Sequence, residues 1–335
     1  MKTIALITLI ACGVLWFAIK PTNDLVARYV GAQQALAGIN PYSDTATDAI
    51  QRGYYGRLAR EDEDQQRFAY PGYSLFVFAP LALLPIRVAL VVSQGVQLAL
   101  MLIAMRRLGV TSLAAAGILV ALKEPLVSLL IGNVSLWVAA WIGFALVDLQ
   151  RGREGRAGVC MAVAAVQPTL AVPLALLMLA NRRRGLTVYL VSMALLVGAS
   201  CILWGFWIPD WLAQVRAYGG YVSYLVWLPA ILPPIIIIGA VAGVRSWLSS
   251  DLQSRFAHSI AAIVSLIPLT GLYHLSLFAL VRLPMWTWLA LGVVVWGMSP
   301  LPFEVRRFEP LLWIGAVVVY HRLRGRAPVL KQQTT

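Results

Sequence analysis

Outside one insert between Lys20 and Pro71, every sizeable stretch of this chain is apolar enough to lie in lipid. Repeated apolar runs near the roughly 20 residues that span a bilayer leave one architecture open, a polytopic bundle of helices. Of the 335 residues, 60% are hydrophobic, and the mean hydropathy is +0.78, well outside the soluble globular range. The formal charge of +13 would suit a nucleic-acid binder, but its distribution argues otherwise. The arginines cluster in short turns such as Arg106-Arg107, Arg151 to Arg156 and Arg182 to Arg184, as expected of turns held on the cytoplasmic face. No nucleic-acid partner is expected.

The reading in chain order is an all-α membrane protein of about ten or eleven spans. Residues 3–19 form a retained first span with Lys2 inside, which places residues 20–70 on the extracytoplasmic side. Cys12, Cys160 and Cys201 fall inside apolar runs and read as buried thiols, with no disulfide framework and no metal spacing. The spacing of Leu25, Tyr29 and Leu36 predicts an amphipathic surface helix that Thr22 can cap, stopping at Gly38. A second, more polar helix is expected from about Ser43 to Arg67. Residues 70–105 read as a short half-buried helix and then one crossing. Residues 112–130 read as an outward crossing and 134–149 as the return. Two half-length helices meet at Gln167-Pro168. One transmembrane domain covers 1–322, and 323–335 form a cytoplasmic tail.

Half of the acidic residues, seven of fourteen, sit in the insert: Asp24, Asp44, Asp48, Glu61, Asp62, Glu63 and Asp64. A membrane protein that concentrates its carboxylates in one loop is expected to do its chemistry there. Asp24 opens a helix, where the dipole favours a carboxylate; its plain alternative is a helix cap. Arg28, one turn later, can serve an anion or simply pair with Asp24. The run Glu61 to Asp64 reads as a solvated loop rather than a metal site, since nothing else supplies an oxygen cage. Tyr42, Tyr70 and Tyr73 can stack on a sugar, as can the aromatic stretch Trp207 to Trp227, although interfacial aromatics are general in membrane proteins.

Asp24, Tyr29, Gly38-Ile39-Asn40-Pro41-Tyr42, Phe68-Ala69-Tyr70-Pro71 and Ala79-Pro80-Leu81 to Leu84-Pro85, in that order, resemble glycosyltransferase family 87. Weaker matches follow at Pro125 to Gly132-Asn133-Val134-Ser135, at Gly158 to Gln167-Pro168, and at Pro268-Leu269-Thr270 to His274. The sequence departs from the family pattern at Gly72, where a second proline is usual, at Asn133 (glutamine) and at Gln167 (lysine). The resemblance implies a GT-C fold and transfer of a hexose, mannose first, from a polyprenyl-phosphate sugar to a lipid or glycan acceptor. It implies Asp24 as general base and His274 near the donor phosphate. Arg28, Tyr42, Tyr70, Asn133 and Gln167 are the expected substrate contacts. The lipid-linked sugar is a co-substrate, and neither a metal nor a cofactor is expected. Two rival readings are a secondary transporter or lipid flippase, disfavoured by the near absence of charge pairs inside the apolar runs, and an idle scaffold of the same fold.

Overall fold

A computed structural model describes residues 24–219, 228–267 and 272–324. The proposed first span, Thr22, the segment Pro268 to Thr270 and most of the tail lie outside the described residues. The protein is 77% helical, with no strand among the described residues. The insert contributes α1 (Leu25–Leu36) and α2 (Asp44–Tyr55), and a 3-10 turn, Gly72–Ser74, leads into α3 (Leu75–Ala82). The bundle follows: α4 (Ile86–Arg107), α5 (Ser112–Leu122), α6 (Glu124–Leu130), α7 (Ser135–Gln150), α8 (Glu154–Ala164), α9 (Pro168–Leu179) and α10 (Arg183–Trp204). Then come α11 (Ile208–Gly219), α12 (Leu228–Ile231), α13 (Ile235–Leu248), α14 (Leu252–Leu266), a 3-10 segment at Leu272–Leu280, α15 (Met285–Gly297), α16 (Phe303–Arg306) and α17 (Glu309–Arg324).

Two helices, α4 and α10, are long and apolar enough to cross a bilayer alone, and α5 with α6 make a third candidate as a bent pair. The other apolar helices run 10–17 residues. The ten or eleven spans expected from sequence are therefore not matched by as many full-length helices among the described residues. Prolines explain part of this. Pro80 and Pro173 sit inside short helices, and Pro168 starts one; a proline removes a donor and crowds the carbonyl four residues back.

Two sequence expectations in the insert need correction. α1 does not lie on a surface: eight of its twelve residues are buried, because it packs against both α2 and α3. The second helix stops at Tyr55, well short of Arg67. Ser43 caps its start, its hydroxyl accepting from the Ala46 amide at 3.2 Å. Gly56 ends it in the left-handed conformation, φ 72°, which glycine adopts without strain. Beyond it, Arg57 donates to both Glu63 oxygens, at 2.5 and 2.7 Å, and the Arg60 amide donates to the same carboxylate at 2.8 Å.

The expected outward crossing at 112–130 is bent by 81°. Pro125 stands at the start of α6, so one helix cannot run through, and the chain turns at Lys123. Lys123 is the only non-glycine residue with positive φ, 62°, among those described. Such a conformation costs on the order of 1–3 kcal/mol and persists where the surroundings hold it. Here an ion cluster holds it. The ammonium lies 3.0 Å from Glu309 and 3.2 Å from Glu124, and Arg306 lies 3.3 Å from Glu309. Lys123, Glu124 and Glu309 are all buried. The sequence already sets Lys123-Glu124 near a span end; the structure adds Glu309, 186 residues away, and that pairing cannot be read along the chain.

Two outcomes follow. Glu309→Gln leaves the buried Lys123 ammonium without its nearest counter-charge, so it should destabilise by about 3–5 kcal/mol in denaturation of the purified protein. The double variant Lys123→Met with Glu309→Gln should recover most of that loss. The Arg57 bonds, then the Arg60 amide, depress the Glu63 carboxyl from its ordinary 4.5 to about 2. Its stabilisation of the 57–66 loop is therefore full above pH 4.5 and drains away as pH falls toward 2. Amide exchange in that loop, corrected for intrinsic rates, should accelerate over this window, and Glu63→Gln should abolish the pH dependence.

Candidate active site

The floor of the site is the turn between α6 and α7, and α1 is docked onto it. The Asp24 amide donates to the Ile131 carbonyl at 2.6 Å. Asn133 Nδ2 donates to Asp24 Oδ2 at 2.9 Å, while Asn133 Oδ1 accepts from the Ser135 amide at 3.0 Å and its hydroxyl at 2.8 Å. The amide group is thus fixed in one orientation, with its donor end on the carboxylate. Asp24 makes no side-chain capping bond to α1, so the plain helix-cap alternative is not what the carboxylate does here.

Arg28, one turn further on, is 2% exposed. Its guanidinium donates to the Gly132 carbonyl at 2.8 Å and to the Tyr70 hydroxyl, and it sits 4.6 Å over the Tyr70 ring. A buried cation with carbonyl, hydroxyl and π-face partners keeps its charge at the wall of the cavity. Tyr70 is brought there by the Phe68–Pro71 strip that closes over α1. Burial raises the Tyr70 phenol above its ordinary range, so it remains a neutral hydroxyl.

Asp24, Arg28, Tyr70 and Gln167 line one cavity of about 160 Å³, together with Arg67 and Trp211. Gln167, between α8 and α9, is 7% exposed, and its Oε1 accepts no hydrogen bond among the described residues. A buried acceptor left open in a cavity wall is the mark of a site that expects a donor from a ligand. Asn133 reaches the cavity through Asp24. His274 and Tyr42 do not line it. His274 is buried in the 3-10 segment that packs on α6. Tyr42 is buried, and its hydroxyl donates to the Tyr70 carbonyl at 2.7 Å. Tyr73 is likewise buried, donating to the Ala165 carbonyl at 2.9 Å.

Sequence reasoning misses Arg67, which turns into the cavity and donates to Gln214 at 2.9 Å; along the chain it reads only as the end of a helix. It also misses Asp64. That carboxyl is half-buried, takes a bond from Gln66 at 2.7 Å, and is raised first by burial and then by the charge of Asp24. As a linear pattern the acidic run points at solvent, and only folding of the 56–67 loop turns its last member inward.

Gly72, where the family pattern has a second proline, has a local reason. A Cβ built there would lie 2.6 Å from the Trp207 ring. Trp207 is itself buried and donates to the Ser200 hydroxyl at 3.0 Å. Tryptophan occupies the volume that a larger side chain at position 72 would need. Gly72→Ala should therefore cost about 1–3 kcal/mol by overpacking, seen in denaturation and as a shifted Trp207 emission. A companion Trp207→Leu should relieve the clash.

Residues 68–329 match the family model described as glycosyltransferase family 87. The match begins after Asp24 and Arg28. No curated protein and no solved structure matches the chain.

Proposed function

The chain belongs to glycosyltransferase family 87, which makes it a membrane glycosyltransferase, and from that premise we propose that it transfers a hexose from a polyprenyl-phosphate sugar to a lipid or glycan acceptor on the extracytoplasmic face. The observation that carries this reading is the meeting of opposite charges in one cavity: the oriented Asp24 carboxylate with the Arg28 and Arg67 guanidiniums. Mannose is the first candidate for the hexose. At about 160 Å³ the cavity is smaller than the roughly 300–1,000 Å³ of drug-sized ligand sites, which suits one sugar ring with the polyprenyl tail left in lipid.

The roles follow from the chemistry. The Asp24 carboxylate takes the proton of the acceptor hydroxyl as that oxygen attacks the anomeric carbon. The bond from that carbon to the phosphate oxygen breaks, and polyprenyl phosphate leaves with the electron pair. Arg28 and Arg67 answer the charge gathering on the phosphate, and Gln167 accepts from a sugar hydroxyl. Direct displacement inverts the anomeric centre. Asn133 is a positioning residue, holding one carboxylate oxygen so that the other faces the acceptor. His274 is buried and does not line the cavity, so no step is assigned to it here. No step calls for a divalent cation, since two guanidiniums supply the positive charge.

Asp24→Asn is nearly isosteric and retains an acceptor for Asn133, so folding should be preserved. Turnover of radiolabelled polyprenyl-phosphate mannose should fall by about 10²–10⁴-fold, the usual worth of a general base, with donor binding retained. Asp64→Asn and Asp48→Asn in the same membranes should stay within several-fold of the parent. Wild-type transfer by Asp24→Asn, or a product with retained configuration, removes the mechanism.

A further inference from the structure

A second cavity lies at the start of α11. Its volume is about 360 Å³, and it lies between the turn at 38–41 and the turn at 203–210. Asn40, Asp210, Trp204, Phe206 and Trp207 line it, and nothing in the catalytic reading uses it. We propose that it is a carbohydrate subsite that holds a pyranose ring of the acceptor, with vicinal hydroxyls on Asp210 and the apolar face of the ring on the aromatic wall. This rests on the glycosyltransferase reading above for the word acceptor, though not for the binding itself.

The polar end is built. Asn40 Oδ1 accepts from the Tyr42 amide at 3.0 Å, and its Nδ2 donates to Asp210 Oδ2 at 2.7 Å. The amide is committed at both ends, so it clamps the carboxylate. Asp210 is solvent-exposed, and an ionised carboxylate offers about four lone-pair sites, of which Asn40 takes one. The apolar end is aromatic. Trp204 is held edge-on by Phe76 at 5.0 Å, and Phe206 is 72% exposed. Interfacial anchoring accounts for exposed aromatics near the end of a span, but not for a clamped carboxylate among them.

Charge selects the ligand. Among the described residues no lysine or arginine lines this cavity, and a carboxylate repels phosphate, whereas the Asp24 cavity carries two guanidiniums. Phosphate is excluded, and between an organic cation and a neutral, hydroxyl-rich ring the glycosyltransferase reading selects the ring, which separates acceptor from donor. Both cavities are lined in part from α11. Trp211, next to Asp210 on α11, lines the first. Tyr42 stands between them, its amide bonded to Asn40, its carbonyl accepting from Gln214 at 2.5 Å, and its hydroxyl on the Tyr70 carbonyl. Tyr42, expected from the sequence to contact sugar, thus acts as a partition instead. The ring can belong to a soluble glycan or to a lipid headgroup. Leu203 in the wall and Ile202 beside it, 86% exposed, offer a place for a tail.

The test uses the full chain in zwitterionic nanodiscs and saturation-transfer NMR, with methyl and octyl glycosides of mannose, glucose and galactose as probes. At least one should bind, and Asp210→Asn and Trp204→Leu should each weaken it by about tenfold or more, the loss of one charge-assisted bond or one stacking face. Asp210→Asn keeps an acceptor for Asn40 and so keeps the turn folded. Equal affinity for methyl and octyl forms assigns a soluble glycan end, and tighter binding of the octyl form assigns a lipid headgroup. No binding by any probe, or binding unchanged in both variants, overturns the subsite. Binding lost in Asp24→Asn but kept in Asp210→Asn overturns it too, because the ring then sits in the first cavity. If Asp24→Asn keeps full turnover while Asp210→Asn loses the probe, the catalytic reading fails and the subsite stands.

Discussion

The docking of α1 on the turn between α6 and α7 is the contact on which the rest depends. Three bonds make it: the Asp24 amide to Ile131, Arg28 to Gly132, and Asn133 to the Asp24 carboxylate. Each satisfies a group that would otherwise be buried or half-buried without a partner, an omission that costs about 1–3 kcal/mol per group and more for a charge. The same bonds that attach the insert to the bundle also aim the carboxylate. Stability and geometry are coupled at this point, so a loosened α1 would lose both.

The turn is available because the bundle is broken there. An unbroken helix over 112–130 would carry residue 131 away along its axis. The proline at 125 forces the 81° bend, and the turn after α6 then presents the Ile131 and Gly132 carbonyls to α1, where the Asp24 amide and Arg28 take them. The strain at Lys123 is held by Glu124 and Glu309, which ties the break to the start of α17. Lys123 lies between Glu124 and Glu309, and the partly exposed Arg306 meets Glu309 from the other side, so the break is pinned by contacts that no local segment could supply.

Around α11 the fold separates two kinds of polarity. Arg28 and Arg67 face one cavity, Asp210 and an aromatic wall face the other, and the buried Tyr42 and Gln214 hold the partition between them. Burial pushes the Tyr42 phenol well above its ordinary range, so the hydroxyl stays a neutral donor and the partition does not titrate. A donor carrying phosphate and an acceptor carrying only hydroxyls would then be sorted by charge before they meet.

The one-dimensional pattern is enough for the class of fold, an all-helical membrane protein. Hydropathy demands helices because lipid offers no partner to an open backbone, and the family resemblance read from residue order is shown by the match over residues 68–329, which includes Tyr70 but not Asp24 or Asn40 to Tyr42. Helix starts at Ser43 and breaks near Pro80 and Gln167-Pro168 are legible, since capping and proline act within four residues. What lies beyond reach depends on contacts between distant segments. The length of α2, the inward turn of Asp64 and the burial of α1 follow from a loop that closes only in three dimensions. Lys123 meets Glu309 across 186 positions, and Trp207 fills the space that explains Gly72 across 135 (207 − 72). Sequence determined which side chains are costly to leave unpaired in a membrane; the tertiary structure alone decided which partners they found, because pairing energy falls with distance in space and not along the chain.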